Sequence, residues 1–131
     1  MKTYQISLEE LNFETIESIL HQGTKLVLGE KAKQRIRAGR KYLDDKLKGH
    51  EGAIYGINTG FGALYNRSIS EKDLGKLQRN LMTSHACGAG EEVPADVVRL
   101  MLLLKIQGLS YGNSGVQLKT VERLVDFFNN D

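Results

Sequence analysis

The sequence predicts a mainly α-helical fold with one small two-stranded β element. Three observations carry the prediction. Apolar residues recur at spacings of three and four in about five separate segments. Only two short runs are β-prone, residues 3–6 (TYQI) and 25–28 (KLVL), each bounded by turn or polar residues. Between the helical segments stands a loop, Tyr55-Gly56-Ile57-Asn58-Thr59-Gly60-Phe61-Gly62, with three glycines in eight residues. A glycine inside a regular element costs roughly 0.5–1 kcal/mol relative to alanine. Such a run marks backbone that turns at positive φ or comes close to something, and its tyrosine, asparagine, threonine and exposed-looking phenylalanine make it a loop with chemistry on it.

The elements follow in order. The two β-prone runs pair with each other. Between them Asn12 stands at an N-cap ahead of Phe13, Ile16, Ile19 and Leu20, and Gly23 stops that helix. Residues 30–48 form a longer helix with Ala32, Ile36, Gly39, Leu43 and Leu47 on one face. Its other faces carry Lys31, Lys33, Arg35, Arg37, Arg40, Lys41, Lys46 and Lys48 against Glu30, Asp44 and Asp45. That surface reads as a phosphate-binding face or as an ordinary solvated one, and aromatics are not interleaved along it in the way that nucleic-acid binding favours, which supports the second. After a break at Gly49 to Gly52 comes the glycine loop. Ser70 then begins a helix, with Asp73 three residues later as a variant capping box. Leu74, Leu77, Leu81 and His85 make its stripe, and Gly88-Ala89-Gly90 ends it. Pro94 suits the first turn of a helix over 95–109. Residues 97–106 (VVRLMLLLKI) are apolar nearly all round, a pattern that belongs inside a bundle or between subunits. Gly112-Asn113-Ser114-Gly115 breaks the chain before a last helix, with Leu118, Val121, Val125 and Phe128 on one face, running to Asp131.

Length and composition bound the function. The 131 residues suffice for one domain with a core. Apolar residues at 40% and charged residues at 26% are ordinary for a soluble globular protein. A net charge of +2 argues for neither a nucleic-acid nor a membrane partner. Cys87 stands alone, so the chain forms no internal disulfide and fits a reducing compartment. The start, MKTYQISLEELN, lacks the apolar core of a signal peptide, and the run Leu100 to Leu104 is far short of the roughly 20 residues of a membrane span. A cytoplasmic protein is expected.

Several chemistries are excluded. Gly60-Phe61-Gly62 is followed by Ala63, Leu64 and Tyr65, so a dinucleotide fingerprint lacks its third glycine, and no Gly-Lys-Ser or Gly-Lys-Thr makes a P-loop. His21, His50 and His85 are far apart, and Cys87 is too near His85 for usual zinc spacings, so no metal is expected. No nucleophile elbow occurs. By spacing alone, Tyr55 reads as a tyrosine packed on one face with its hydroxyl bonded. His85 reads as a core histidine at the polar end of a leucine stripe, and Cys87 as a small buried residue.

Three motifs in order shift that reading. YGINTGFG at 55–62, QRNLMTSHACGAG at 78–90 and LSYGNSG at 109–115 together resemble the N-terminal part of the aromatic amino acid ammonia-lyases, and the flanks fit as well. Within the family, Ser84-His85-Ala86-Cys87-Gly88-Ala89-Gly90 is most similar to the histidine branch, which deaminates L-histidine to trans-urocanate, the first step of histidine degradation. Some tyrosine lyases also carry Ser-His there, so a tyrosine or phenylalanine lyase or an aminomutase is the alternative. A non-catalytic helical module binding anions through residues 30–48 is a second.

The resemblance implies a carbon–nitrogen lyase with a 4-methylidene-imidazol-5-one prosthetic group, an electrophile that takes up the substrate amine. It implies that Tyr55 is the base removing the β-proton and that His85 lies against the substrate side chain, where one imidazole can bond another. It places Asn58, Gly60, Phe61 and Gly62 in the loop beside the site. A phenol ordinarily ionises near ~10, so such a base needs positive surroundings, for instance converging helix N-termini. The family forms the group from an internal Ala-Ser-Gly. None of Ala32, Ala38, Ala53, Ala63, Ala86, Ala89 and Ala95 is followed by Ser-Gly, and Asn113-Ser114-Gly115 is not that tripeptide. Residues 1–131 are therefore expected to be a single N-terminal region of a longer lyase, ending before the tripeptide, inactive alone and homotetrameric when complete.

Overall fold

The computed structural model describes residues 2–50 and 52–130, with only the backbone of Glu71. Its elements in chain order are strand β1 (Thr3–Ile6), helix α1 (Phe13–His21), strand β2 (Lys25–Leu28), and helices α2 (Glu30–Leu47), α3 (Glu71–His85), α4 (Ala95–Ser110) and α5 (Leu118–Asn130), with a short 3-10 turn at Gly62–Leu64. The expected mainly helical architecture with one two-stranded element is what forms. Asp131, where the last helix was expected to end, lies outside the described residues. The chain divides into two compact units, Met1–Lys48 with Glu92–Asp131, and Gly49–Glu91.

In the first unit β1 and β2 pair in parallel, Thr3 opposite Lys25 through Ile6 opposite Leu28. A parallel pair needs a crossover, and α1 supplies it. Asn12 caps α1 as its sequence position requires, its Oδ1 accepting from the Thr15 N–H at 2.8 Å. Gly23, just past the helix, has φ 59°. The stripe inside α1 is shorter than its spacing suggested. Ile19 is buried, whereas Phe13 at the first helical position is 87% exposed.

The core gathers Ile6, Ile19, Leu26, Ile36, Leu103, Ile106, Leu109, Val121, Val125 and Phe128. Every secondary element of the unit contributes. On α5 the periodic face predicted from Val121, Val125 and Phe128 is the buried one. Asn129 fastens this helix to the sheet: its Oδ1 accepts from the Leu26 N–H at 2.7 Å and its Nδ2 donates to the Leu26 carbonyl at 2.8 Å. One side chain thus substitutes for a peptide partner along β2 and satisfies backbone groups that would otherwise be orphaned. Gln107, buried on α4, donates to the carbonyls of Ser7 and Glu9 at 3.1 and 3.0 Å, holding the segment after β1.

Four of the eight basic side chains of residues 30–48 pair with acidic side chains of the same segment. Arg40 makes a two-pronged bond to Asp44, Lys41 and Lys48 share Asp45, and Arg37 reaches Glu30 at 3.4 Å. Ala32 and Ile36 are the buried positions of its apolar stripe. The near-continuous apolar helix α4 is buried on one side only. Leu103, Ile106 and Leu109 face the core, while Val97, Val98, Met101 and Leu104 stay 41–62% exposed.

Candidate functional site

The second unit, Gly49–Glu91, holds the glycine loop and α3. The loop is closed by backbone pairing. Thr59 bridges Ser68 in antiparallel fashion, Gly60 N–H donates to the Arg67 carbonyl at 3.1 Å, and Ile69 N–H to the Asn58 carbonyl at 2.9 Å. At the tip, the 3-10 turn folds the chain back through Leu64 N–H to Phe61 and Tyr65 N–H to Gly62, each 3.1 Å. The glycines have the two uses expected of them. Gly56 and Gly62 sit at φ 76° and 55°, where a Cβ is unfavourable. Gly60 meets the turn so closely that a Cβ would lie 2.8 Å from the Leu64 carbonyl oxygen.

Asn58 organises the opening of the loop. Its Oδ1 accepts from the Ile54 N–H at 2.7 Å and its Nδ2 donates to the Gly52 carbonyl at 3.1 Å. Short side-chain amides take over backbone pairing in this way wherever a turn departs from regular structure. Thr59, 1% exposed, donates its hydroxyl to the Gly60 carbonyl. Tyr55 then projects from a loop held on both sides. It is 64% exposed, and its ring meets the half-buried Phe61 edge to face, centroids 6.2 Å apart at 70°. Phe61 is thus less exposed than its sequence position suggested, because Tyr55 covers it. Among the described residues nothing bonds the Tyr55 hydroxyl, so the packed, hydrogen-bonded tyrosine read from spacing gives way to a phenol presented to its surroundings.

α3 departs from the sequence reading at both ends. Ser70 does occupy the N-cap, but its hydroxyl binds the Asp73 carboxylate rather than a backbone N–H, so the capping box is replaced by a side-chain pair. The stripe of Leu74, Leu77 and Leu81 is half-buried, and His85 at its end is exposed. No buried seam forms because this unit buries few apolar side chains against the helix. Cys87, expected to be buried, is an exposed free thiol for the same reason. His85 is nevertheless held. Its Nδ1 lies 2.9 Å from the Leu81 carbonyl oxygen and 3.0 Å from Ser84 Oγ. Among the described residues no hydrogen bond or ring contact joins His85 to the glycine loop, and no group of three His, Cys, Asp or Glu side chains is arranged to hold a metal ion. The hydrogen bonds of Ser84 and Asn58 escaped sequence reasoning, although both residues lie in the motifs that it singled out.

Comparison with known proteins bears on the same residues. The profile of the family described as aromatic amino acid lyase matches residues 11–131. A histidine ammonia-lyase from Legionella pneumophila (strain Lens) is 47% identical over 124 residues, covering 92% of this chain and 24% of the relative. Histidine ammonia-lyase 2 of Fusobacterium nucleatum is 41% identical over 128 residues, covering 98% of this chain and 25% of the relative. Among solved structures, histidine ammonia-lyase from Trypanosoma cruzi superposes with a TM-score of 0.79 at 30% identity, over 98% of this chain and 24% of that one. Ergothionase from Treponema denticola shares the fold with a TM-score of 0.88 at 24% identity, over 98% of this chain and 26% of that one. The chain spans about a quarter of the length of the curated relatives it matches. By the profile match and these relatives, the chain belongs to the aromatic amino acid lyase family.

Proposed function

We propose that these residues are the N-terminal region of a histidine ammonia-lyase, which eliminates ammonia from L-histidine to give trans-urocanate. The observation that carries the reading is the exposed Ser84-His85 pair at the end of α3, one imidazole nitrogen anchored to the helix and the other free to meet a substrate ring. It is supported by the histidine ammonia-lyases among the relatives, up to 47% identical.

In the elimination, the substrate β-C–H and α-C–N bonds break and a carbon–carbon double bond forms. Tyr55, acting as its phenolate, takes the β-proton on the phenolic oxygen and becomes the neutral phenol. The loop serves that role by keeping the phenol exposed on hydrogen-bonded backbone, with Phe61 against its ring and Asn58, Gly60 and Gly62 shaping the turn. His85 orients the substrate side chain. The methylidene-imidazolone supplies an electrophile for the substrate amine when present. No alanine of these 131 residues precedes Ser-Gly, so the chain cannot form the group itself, and a complete lyase draws it from residues outside these.

Assembly as a homotetramer in the cytoplasm completes the proposal. Support comes from the exposed Val97, Met101 and Leu104 along α4, an apolar row of the kind that subunit contacts cover, and from the unpaired Cys87. Among the described residues no helix is long and apolar enough to cross a membrane.

The test is a comparison of L-histidine, L-tyrosine and L-phenylalanine as substrates of the complete protein, with the 131-residue chain alone beside it. Urocanate from L-histidine only, and no product from the chain alone, is expected. Preference for either other amino acid removes the histidine assignment, and turnover by the chain alone removes its dependence on the missing tripeptide.

A further inference from the structure

The bonds around His85 determine which of its nitrogens carries the proton. The Leu81 carbonyl can only accept, so Nδ1, 2.9 Å away, donates to it. Ser84 Oγ donates its own proton to the same carbonyl at 3.0 Å, and so turns a lone pair toward Nδ1 at 3.0 Å. Both neighbours of Nδ1 are therefore acceptors. A neutral imidazole with its proton on Nδ1 leaves Nε2 as a bare acceptor. Among the described residues nothing bonds Nε2.

We propose that Ser84 is a positioning residue that, with the Leu81 carbonyl, locks His85 in the Nδ1–H tautomer, so that Nε2 offers its lone pair to a ring N–H of the substrate. The substrate half rests on the function proposed above, whereas the tautomer does not. A site presenting a lone pair favours a ring that donates a hydrogen bond, as the imidazole of L-histidine does. An unsubstituted phenyl ring leaves the lone pair without a partner, a loss that discriminates strongly once water is excluded.

Long-range proton–nitrogen NMR of the 131-residue chain, at a pH where its histidines are neutral, reads the tautomer directly. His85 is expected as Nδ1–H. His21 and His50, which lack such bonds among the described residues, serve as references for the Nε2–H form that free imidazole side chains favour. Ser84→Ala is expected to shift His85 several-fold toward Nε2–H, and Ser84→Thr to restore it. Nε2–H in the wild-type chain, or a ratio unmoved by Ser84→Ala, overturns the lock. In the complete lyase, Ser84→Ala is expected to raise KM for L-histidine more than it lowers kcat. A predicted tautomer with KM unchanged overturns the substrate half and leaves the lock standing.

Discussion

Asn58 shows how much one side chain decides at the residue scale. It satisfies the Ile54 N–H and the Gly52 carbonyl while its own carbonyl holds Ile69. Leaving a partly buried donor without its partner costs about 1–3 kcal/mol. Asn58→Ala is therefore expected to loosen the 52–69 loop, seen as faster amide exchange at Ile54 and Ile69, with α4 and α5 unaffected. The motif around Asn58 was legible in the sequence, and so was the need for glycine at 56, 60 and 62. Its hydrogen-bond partners were not, because they depend on the closed shape of the loop and not on residue spacing. Cys87 and His85 were misread as buried for a related reason. Helical spacing says which residues share a face, but whether that face is covered depends on what the rest of the unit can bring against it.

At the scale of elements, α2 and the 111–115 loop meet backbone to backbone. A Cβ on Gly39 would stand 1.9 Å from the Gly112 carbonyl oxygen, and one on Gly112, itself at φ 76°, 2.4 Å from that of Arg35. Backbone packs on backbone here with no side chain between. Gly39→Ala sets two effects against each other. Alanine favours a helix interior by roughly 0.8–1 kcal/mol over glycine, whereas forcing extra volume into a closed contact costs typically ~1–3 kcal/mol or more. A backbone oxygen cannot move aside as a side-chain tip can, so the clash wins. A lower unfolding midpoint is expected, and an unchanged or raised one would show that the loop yields freely. The sequence placed Gly39 on the apolar stripe of α2 without revealing this, since periodicity identifies the face and not what meets it. By contrast the buried face of α5 was read from its period, because Val121, Val125 and Phe128 meet one continuous core and Leu118 packs against it.

For the whole molecule, the core and the proposed site residues fall in different units. The buried hydrophobic cluster belongs to the unit built from β1, β2, α1, α2, α4 and α5, while Tyr55 and His85 belong to Gly49–Glu91, where Thr59 and Gly60 are the buried residues among those described. Regions with few buried apolar contacts open at low free energy, and sites that must admit a substrate are drawn from them. The central claim is that Tyr55 removes the substrate proton, and turnover of L-histidine by the complete lyase carrying Tyr55→Phe tests it most directly. Phenylalanine keeps the ring against Phe61 and removes only the hydroxyl. Loss of a positioned base typically costs about 10²–10⁴-fold, so urocanate release is predicted to fall by at least that order while L-histidine still binds. Wild-type turnover in that variant would contradict the assignment of Tyr55 as the base.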